Sequence, residues 1–468
     1  MRYSPSQKRN NAIFFNLING LGQPVFSNRL YVFAYYVNVE NNERKEKTMS
    51  RLVINGGRPL CGVVRIQGAK NSVLPILAAS LLADGPCVIS NCPHISDADT
   101  AVEILEALGT RAERYADRVE TDASNAFKCV IPDGLMRKMR SSIVFLGAIV
   151  SKCGRARVSF PGGCDIGCRP IDLHISSLEK MNISVVGKSG YLECRTDGIK
   201  GAEINLSFPS VGATENIMLA ACKAKGDTVI ENAAREPEIV DLQNFINAMG
   251  GDVRGAGTSR IEICGVEKLH GVNYQIIPDR IVAATYLCAV AASRGCALLK
   301  NVRPNDLSSV ISLLRDAGCD ISAYDDSISI DCEKIKSIRG VDSVRTMPYP
   351  GFPTDAGSPF VALMTLAKGS TVFVETVFEN RFKYVGELLR MGADIKTEGR
   401  VAVIDGVEKL FGTCVEAHVL RGGAALCVAA VAAEGTTEID RAEYILRGYE
   451  HIEKDLRDLG ADIEFFED

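Results

Sequence analysis

The chemistry of this chain is easiest to see at Cys164, within the run PGGCDIGCRPIDLH that spans Pro161 to His174. Most cysteines are small buried hydrophobes, and this chain has 16 of them. Cys164 differs in its neighbours. Pro161, Gly162, Gly163 and Gly167 give it almost no apolar surface to bury against and suit neither a regular helix nor a strand. Arg169 follows a few residues on. A thiol on a loop beside a fixed cation is a reactive thiol, because positive charge favours the thiolate. Cys168 makes a CxxxC pair with Cys164, a weak redox or metal signal in a chain with no CxxC and scattered histidines.

A second set of residues concerns anions. Helix-like segments that are apolar nearly all round recur along the chain, and each opens on the same slot. The slot carries Lys70 and Asn71, then Arg140, then Gly212 and Ala213 after Ser210 and Val211, then Arg280, Asp355 and Arg421. Helix N-termini present unpaired N–H groups and a positive dipole end. Adding basic side chains to several of them opposes the dipole, yet it builds a local site for an anion.

These residues need elements to hold them, and the sequence repeats those elements six times. One helix of each unit is amphipathic and ends in a small turn: AVEILEALGTRAER, ISSLEKMNISVV, LQNFINAMGGDVRG, VISLLRDAGCDISA, VGELLRMGADIKTE and HIEKDLRDLGADIEFF. Apolar positions such as Leu242, Phe245, Ile246 and Met249 keep helical spacing. Gly109, Gly250, Gly318, Gly392 and Gly460 sit where a helix C-terminus wants a left-handed residue, and Asn182 takes that place in the second copy. The second helix of each unit, apolar all round, is expected to be buried. Units of βαβαββ type about 70 residues long follow, longer than the usual solenoid repeats.

The 468 residues suffice for two sizeable cores. A net charge of −5 argues against nucleic acid or a membrane surface as partner. No apolar run is long enough to insert in a membrane, and cysteines without disulfide-like spacing point to a reducing cytoplasm. Residues 1–48 lie outside the repeat and read as an extension, poorly ordered or not native, with Met49 as the start.

Seven motifs in order carry a resemblance: GAKNSVLPILAASLL from Gly68, the Cys164 run, SVGATENIMLAA from Ser210, ENAAREPEIVDL from Glu231, FPTDAGSPF from Phe352, ETVFENRF from Glu375 and LRGYEHIE from Leu446. From about Leu52 onward the chain resembles the enolpyruvyl transferase family. The resemblance implies two inside-out α/β barrel-like domains of three units each. Residues 49–69 and 278–468 would form one, residues 70–277 the other, with the site in the cleft between them. It implies transfer of the enolpyruvyl group of phosphoenolpyruvate to the 3-hydroxyl of UDP-N-acetylglucosamine, with release of phosphate, the first committed step of peptidoglycan synthesis. No cofactor or metal is needed, and the expected form is a cytoplasmic monomer.

By the same resemblance, Cys164 is the general acid and Asp355 takes or orients the hydroxyl proton. Lys70, Arg169 and Arg447 hold phosphoenolpyruvate. Asn71, Arg140, Arg169, Pro170, Ile171, Asp172, Leu173, Ser210, Val211, Gly212, Asp355, Val377 and Arg421 hold the nucleotide sugar. The sibling activity on shikimate 3-phosphate is disfavoured by the Cys164 loop and by RPIDLH. The family commonly has an aspartate where this chain has Val419, and another where it has Leu446. Each change removes a carboxylate next to a functional arginine. They are the sole support for the alternative reading, a weakly active paralogue that binds the nucleotide sugar or a partner in a regulatory role.

Overall fold

The computed structural model describes residues 50–160, 171–188 and 190–467. The extension 1–48 and the residues Cys164, Arg169 and Pro170 lie outside the described residues, as does the side chain of Arg140.

The six apolar segments form the central helices: α1 (Lys70–Ser80), α2 (Phe145–Cys153), α3 (Val211–Ala221), α4 (Arg280–Ala292), α5 (Thr354–Met364) and α6 (Leu420–Ala432). Their sequences give them no polar face to turn to water, so they fill the interior. Every residue of α4 is buried, and in α1 only Asn71 is not. Each expected slot opens its helix within a residue or two, except that Arg140 begins a single 3₁₀ turn, Arg140–Val144, before α2. Short 3₁₀ turns are common at helix starts.

The amphipathic helices close over the outside. Gly109, Gly250, Gly318, Gly392 and Gly460, which follow or end five of them, are all left-handed, and Asn182 does the same at φ 64°.

Among the described residues the strands form six sheets, five of four strands and one of three. The repeated pattern pairs one strand parallel to a crossover strand and antiparallel to the second strand of a hairpin. In one sheet Cys296–Lys300 runs parallel to Cys61–Arg65 and antiparallel to Ser327–Asp331. The hydrophobic side chains fall into two separate cores. One takes Leu52 to Ile66 and then Val282 to Ile463, around α4, α5 and α6. The other takes Ala69 to Ile277, around α1, α2 and α3. Each is an α/β body with helices inside and sheets outside.

The chain therefore passes between the cores twice, and the two passages are tied together. Gly68 and Pro278 form a bridge, Ala69 N–H donates to the Ile277 carbonyl at 2.8 Å, and Asp279 N–H donates to the Gln67 carbonyl at 2.9 Å. A Cβ on Gly68 would lie 1.7 Å from the Asn91 carbonyl oxygen, so this crossing admits only glycine. Buried Asp279 then caps both helices that leave the crossing. Its Oδ2 accepts from Lys70 N–H at 3.0 Å, and its Oδ1 accepts from Ile281 and Val282 N–H at 2.8 and 3.0 Å. No described helix is long and apolar enough to cross a membrane.

Candidate active site

A cleft of about 640 Å³ opens where the starts of α1, α3, α4 and α5 face one another. Asn71, Ile171, Asp172, Leu173, Ser210, Val211, Gly212, Asp355 and Val377 all line it. Residues scattered over 300 positions meet because most begin a buried helix or lie in a loop beside one, while Asp172 and Leu173 open the outer helix Asp172–Lys180. Ser210 caps α3, its hydroxyl accepting from Ala213 N–H at 3.4 Å. His174, on the cleft wall, is set by Asn216, whose amide N–H donates to His174 Nδ1 at 3.0 Å and to the Ile143 carbonyl at 3.1 Å. Burial lowers the His174 pKa to about 4, so the ring is neutral at pH 7. Glu215 sits on the same wall, and burial, followed by repulsion from Glu238 and Glu236, raises its carboxyl well above the ordinary range.

Beside the cleft is a group of cations. Lys70 Nζ lies 2.7 Å from Asp97 Oδ2. Arg447 grips the same carboxylate in a fork, Nε to Oδ1 at 3.0 Å and Nη2 to Oδ2 at 3.3 Å. Asp355 performs a similar office nearby, with Arg381 Nη2 at 2.8 Å from Oδ1 and Arg421 Nη2 at 3.3 Å from Oδ2. Burial lowers the Lys70 pKa; Asp97 opposes that shift, while Arg447 and Arg421 add to it by repulsion. For Asp97, burial pushes the carboxyl up, but Lys70 and Arg447 outweigh it and hold it below its usual range. Among the described residues, four cations thus face Asp97 and Asp355, with Asp279 also acting on Arg421, and the group stays net positive. Arg421 Nε and Nη1 and Arg381 Nε are buried without a hydrogen-bond partner among the described residues. Buried donors of this kind are costly unless a ligand meets them, and an anionic ligand would do so here.

Comparisons with known proteins give the family. A family model described as EPSP synthase (3-phosphoshikimate 1-carboxyvinyltransferase) matches residues 54–456. The chain belongs to this family. It is 52% identical over 415 residues to UDP-N-acetylglucosamine 1-carboxyvinyltransferase 2 of Caldanaerobacter subterraneus, covering 89% of this chain and 99% of that one. It is 46% identical to UDP-N-acetylglucosamine 1-carboxyvinyltransferase of Shewanella amazonensis, with 89% and 99% covered. Among solved structures, the enolpyruvyl transferase NikO from Streptomyces tendae superposes with a TM-score of 0.81 at 26% identity, covering 90% of this chain and 100% of that one. EPSP synthase from Acinetobacter baumannii shares the fold, with a TM-score of 0.68 at 19% identity over 90% of this chain and 100% of that one.

Within this enolpyruvyl transferase, the expected site residues fall into two places. Of the residues expected on the sugar side, Asn71, Ile171, Asp172, Leu173, Ser210, Val211, Gly212, Asp355 and Val377 line the cleft. Lys70, Arg421 and Arg447 form the adjoining cation group. Arg280 does not join that group: its guanidinium is held by Glu238 at 3.0 and 3.3 Å, so it enters the cleft wall as a neutralised pair. The N–H groups expected to be open at the starts of α1 and α4 are in part taken by Asp279. Val419 and Leu446 leave neither arginine without a carboxylate, because Asp355 serves Arg421 and Asp97 serves Arg447.

Three contributors escaped the sequence reading. Arg381 stood within the quoted ETVFENRF motif but carried no helix-start signal. Asp97 belongs to an outer helix, Ser96–Leu108, with no spacing relation to Lys70 or Arg447. Glu375 is buried, and its Oε1 accepts from Val377 N–H at 2.7 Å, Phe378 N–H at 3.1 Å and Thr346 Oγ1 at 3.0 Å. Its Oε2 accepts from Thr354 Oγ1 at 2.7 Å. One carboxylate thereby fixes the Val377 loop against the start of α5, next to Asp355.

Proposed function

We propose that this chain transfers the enolpyruvyl group of phosphoenolpyruvate to the 3-hydroxyl of UDP-N-acetylglucosamine and releases phosphate, serving peptidoglycan synthesis as a cytoplasmic monomer. The observation that carries the reading is the net-positive group of Lys70, Arg381, Arg421 and Arg447 opening beside a cleft large enough for a nucleotide sugar.

The reaction adds an O–H across the enol and then eliminates phosphate. The sugar oxygen bonds to carbon 2 while a proton joins carbon 3. Loss of phosphate from carbon 2 and of a proton from carbon 3 restores the double bond on the new ether. Cys164 supplies the proton to carbon 3, and Asp355 orients the hydroxyl and takes its proton. Lys70, Arg169 and Arg447 hold the carboxylate and phosphate of phosphoenolpyruvate, the arginines through forked pairs. Charge forms on the departing phosphate, and fixed cations in a buried site stabilise it at no reorganisation cost. Asn71, Arg140, Arg169, Pro170, Ile171, Asp172, Leu173, Ser210, Val211, Gly212, Asp355, Val377 and Arg421 hold the nucleotide sugar. The thiolate of Cys164 should open an anionic epoxide such as fosfomycin, drawn in by the same cations.

The test is phosphate release. It should require both phosphoenolpyruvate and UDP-N-acetylglucosamine, and it should collapse in Cys164→Ser. Release with shikimate 3-phosphate in place of the nucleotide sugar would overturn the assignment.

A further inference from the structure

The outer face of the sheet around Cys296 holds side chains that the cleft does not use. Cys61 lies directly opposite Cys296 on the parallel neighbour strand, and Asp331 lies opposite Cys296 on the antiparallel side. Residues in register share a face of the sheet, so the two thiols stand side by side. The chain leaves the third strand at Cys332, whose N–H donates to the Gly295 carbonyl at 2.8 Å. Glu333 is then turned back by its own N–H, which donates to Asp331 Oδ1 at 3.0 Å. Its Oε1 comes to lie 3.3 Å from Cys296 Sγ and 3.5 Å from Cys61 Sγ, and the two sulfurs are 3.3 Å apart. Cys61 is exposed and Cys296 half-buried, so the cluster is open to solvent.

We propose that Cys61, Cys296 and Glu333 form a binding site for a divalent cation of the zinc type, with water as the fourth ligand. Tetrahedral zinc, with bonds of about 2.3 Å to sulfur and about 2.0 Å to oxygen, sets edges of about 3.8 Å between sulfurs and about 3.5 Å between sulfur and oxygen. The triangle present matches those edges to within about half an ångström, so a cation can cap it with little movement. Two sulfurs exclude magnesium and calcium, which prefer all-oxygen shells. A disulfide would instead need the sulfurs at about 2.0 Å, a closure of more than an ångström between residues pinned on two hydrogen-bonded strands. Binding deprotonates both thiols, so two protons leave as the cation enters. Glu333 completes the protein's ligand set with a carboxylate oxygen.

Two ligands come from neighbouring strands of one sheet, Cys61–Arg65 and Cys296–Lys300, and the third from the turn that directly follows the strand Ser327–Asp331, which gives a more rigid site than long loops do. The strand from Cys61 runs away from the site for about 13 Å before Arg65, and Lys70 lies beyond it. The cation therefore takes no part in the transfer. It clips residues 235 positions apart in the chain.

The test uses the full chain, reduced, stripped with a chelator and titrated with Co²⁺ without oxygen. One equivalent should bind and produce a thiolate-to-cobalt charge-transfer band, which Zn²⁺ should displace. Cys61→Ser and Cys296→Ser should each lose the band. Glu333→Gln, an exposed isosteric change that leaves the fold intact, should weaken Co²⁺ binding by about tenfold or more. Cys414→Ser, at an exposed cysteine elsewhere, should change nothing. Absence of the band in the unaltered chain would overturn the proposal. So would its survival when both Cys61 and Cys296 are serine, undiminished affinity in Glu333→Gln, or a Cys61–Cys296 disulfide with no cation uptake.

Discussion

Asp97→Asn removes one negative charge and little volume from the centre of the cation group. Lys70 Nζ is 2.7 Å from that carboxylate and is itself buried. Its pKa is already lowered, first by burial and then by Arg447 and Arg421, with Asp97 opposing. An opposite charge at this range is worth about one to three pKa units, each about 1.4 kcal/mol. The asparagine variant removes the carboxylate that raises the Lys70 pKa and so drops it further. If Lys70 holds phosphoenolpyruvate as proposed, it must be charged to do so, and the alkaline limb of kcat/KM for phosphoenolpyruvate should move to lower pH. Breaking a buried pair also costs about 3 kcal/mol or more of stability. That loss has a sign that can be checked. The folded Asp97 pKa lies below its unfolded value, so its contribution is complete above about pH 4 and disappears as pH falls through the folded value. The stability gap between the two proteins should be flat from pH 5 to pH 8. The assays are phosphate release across pH with phosphoenolpyruvate varied, and urea unfolding at matched pH. An alkaline limb that stays in place in Asp97→Asn would refute the argument, since Lys70 would then not depend on its partner.

Glu375→Gln puts an amide N–H among four donors that now point at a carboxylate. It should cost about 2–3 kcal/mol in urea unfolding and raise KM for UDP-N-acetylglucosamine more than it lowers kcat, by loosening Val377. Val419 precedes α6 with extended backbone and no capping side chain. Val419→Asp should therefore stabilise the protein by about 1 kcal/mol, read as a higher urea midpoint. His174 has a folded pKa of about 4, below the unfolded value of about 6.5. Folding stability should fall as pH drops from about 6.5 to 4, by up to about 3 kcal/mol, and His174→Gln should remove that part of the slope.

Much of the molecule was legible in its sequence. The buried helices announced themselves by lacking a polar face, the outer helices by their spacing, and the turns by glycine or asparagine where a left-handed residue was needed. These are near-neighbour properties, fixed by a few residues at a time. The helix starts could therefore be aligned across six copies, and Asn71, Gly212, Arg280 and Asp355 of the cleft found from that one slot. The partnerships were another matter. Asp97 meets Lys70 and Arg447 only because two bodies, joined at Gly68 and Pro278, bring residue 97 against residue 447. Arg381 and Arg421 share Asp355, and Arg280 is lost to Glu238, for the same reason. Cys61, Cys296 and Glu333 have no spacing that a motif could capture, since strand register and the turn after Asp331 set them side by side. Local periodicity records which way a side chain faces. Which charge or thiol it meets there depends on packing between distant segments, and only the tertiary structure decides it.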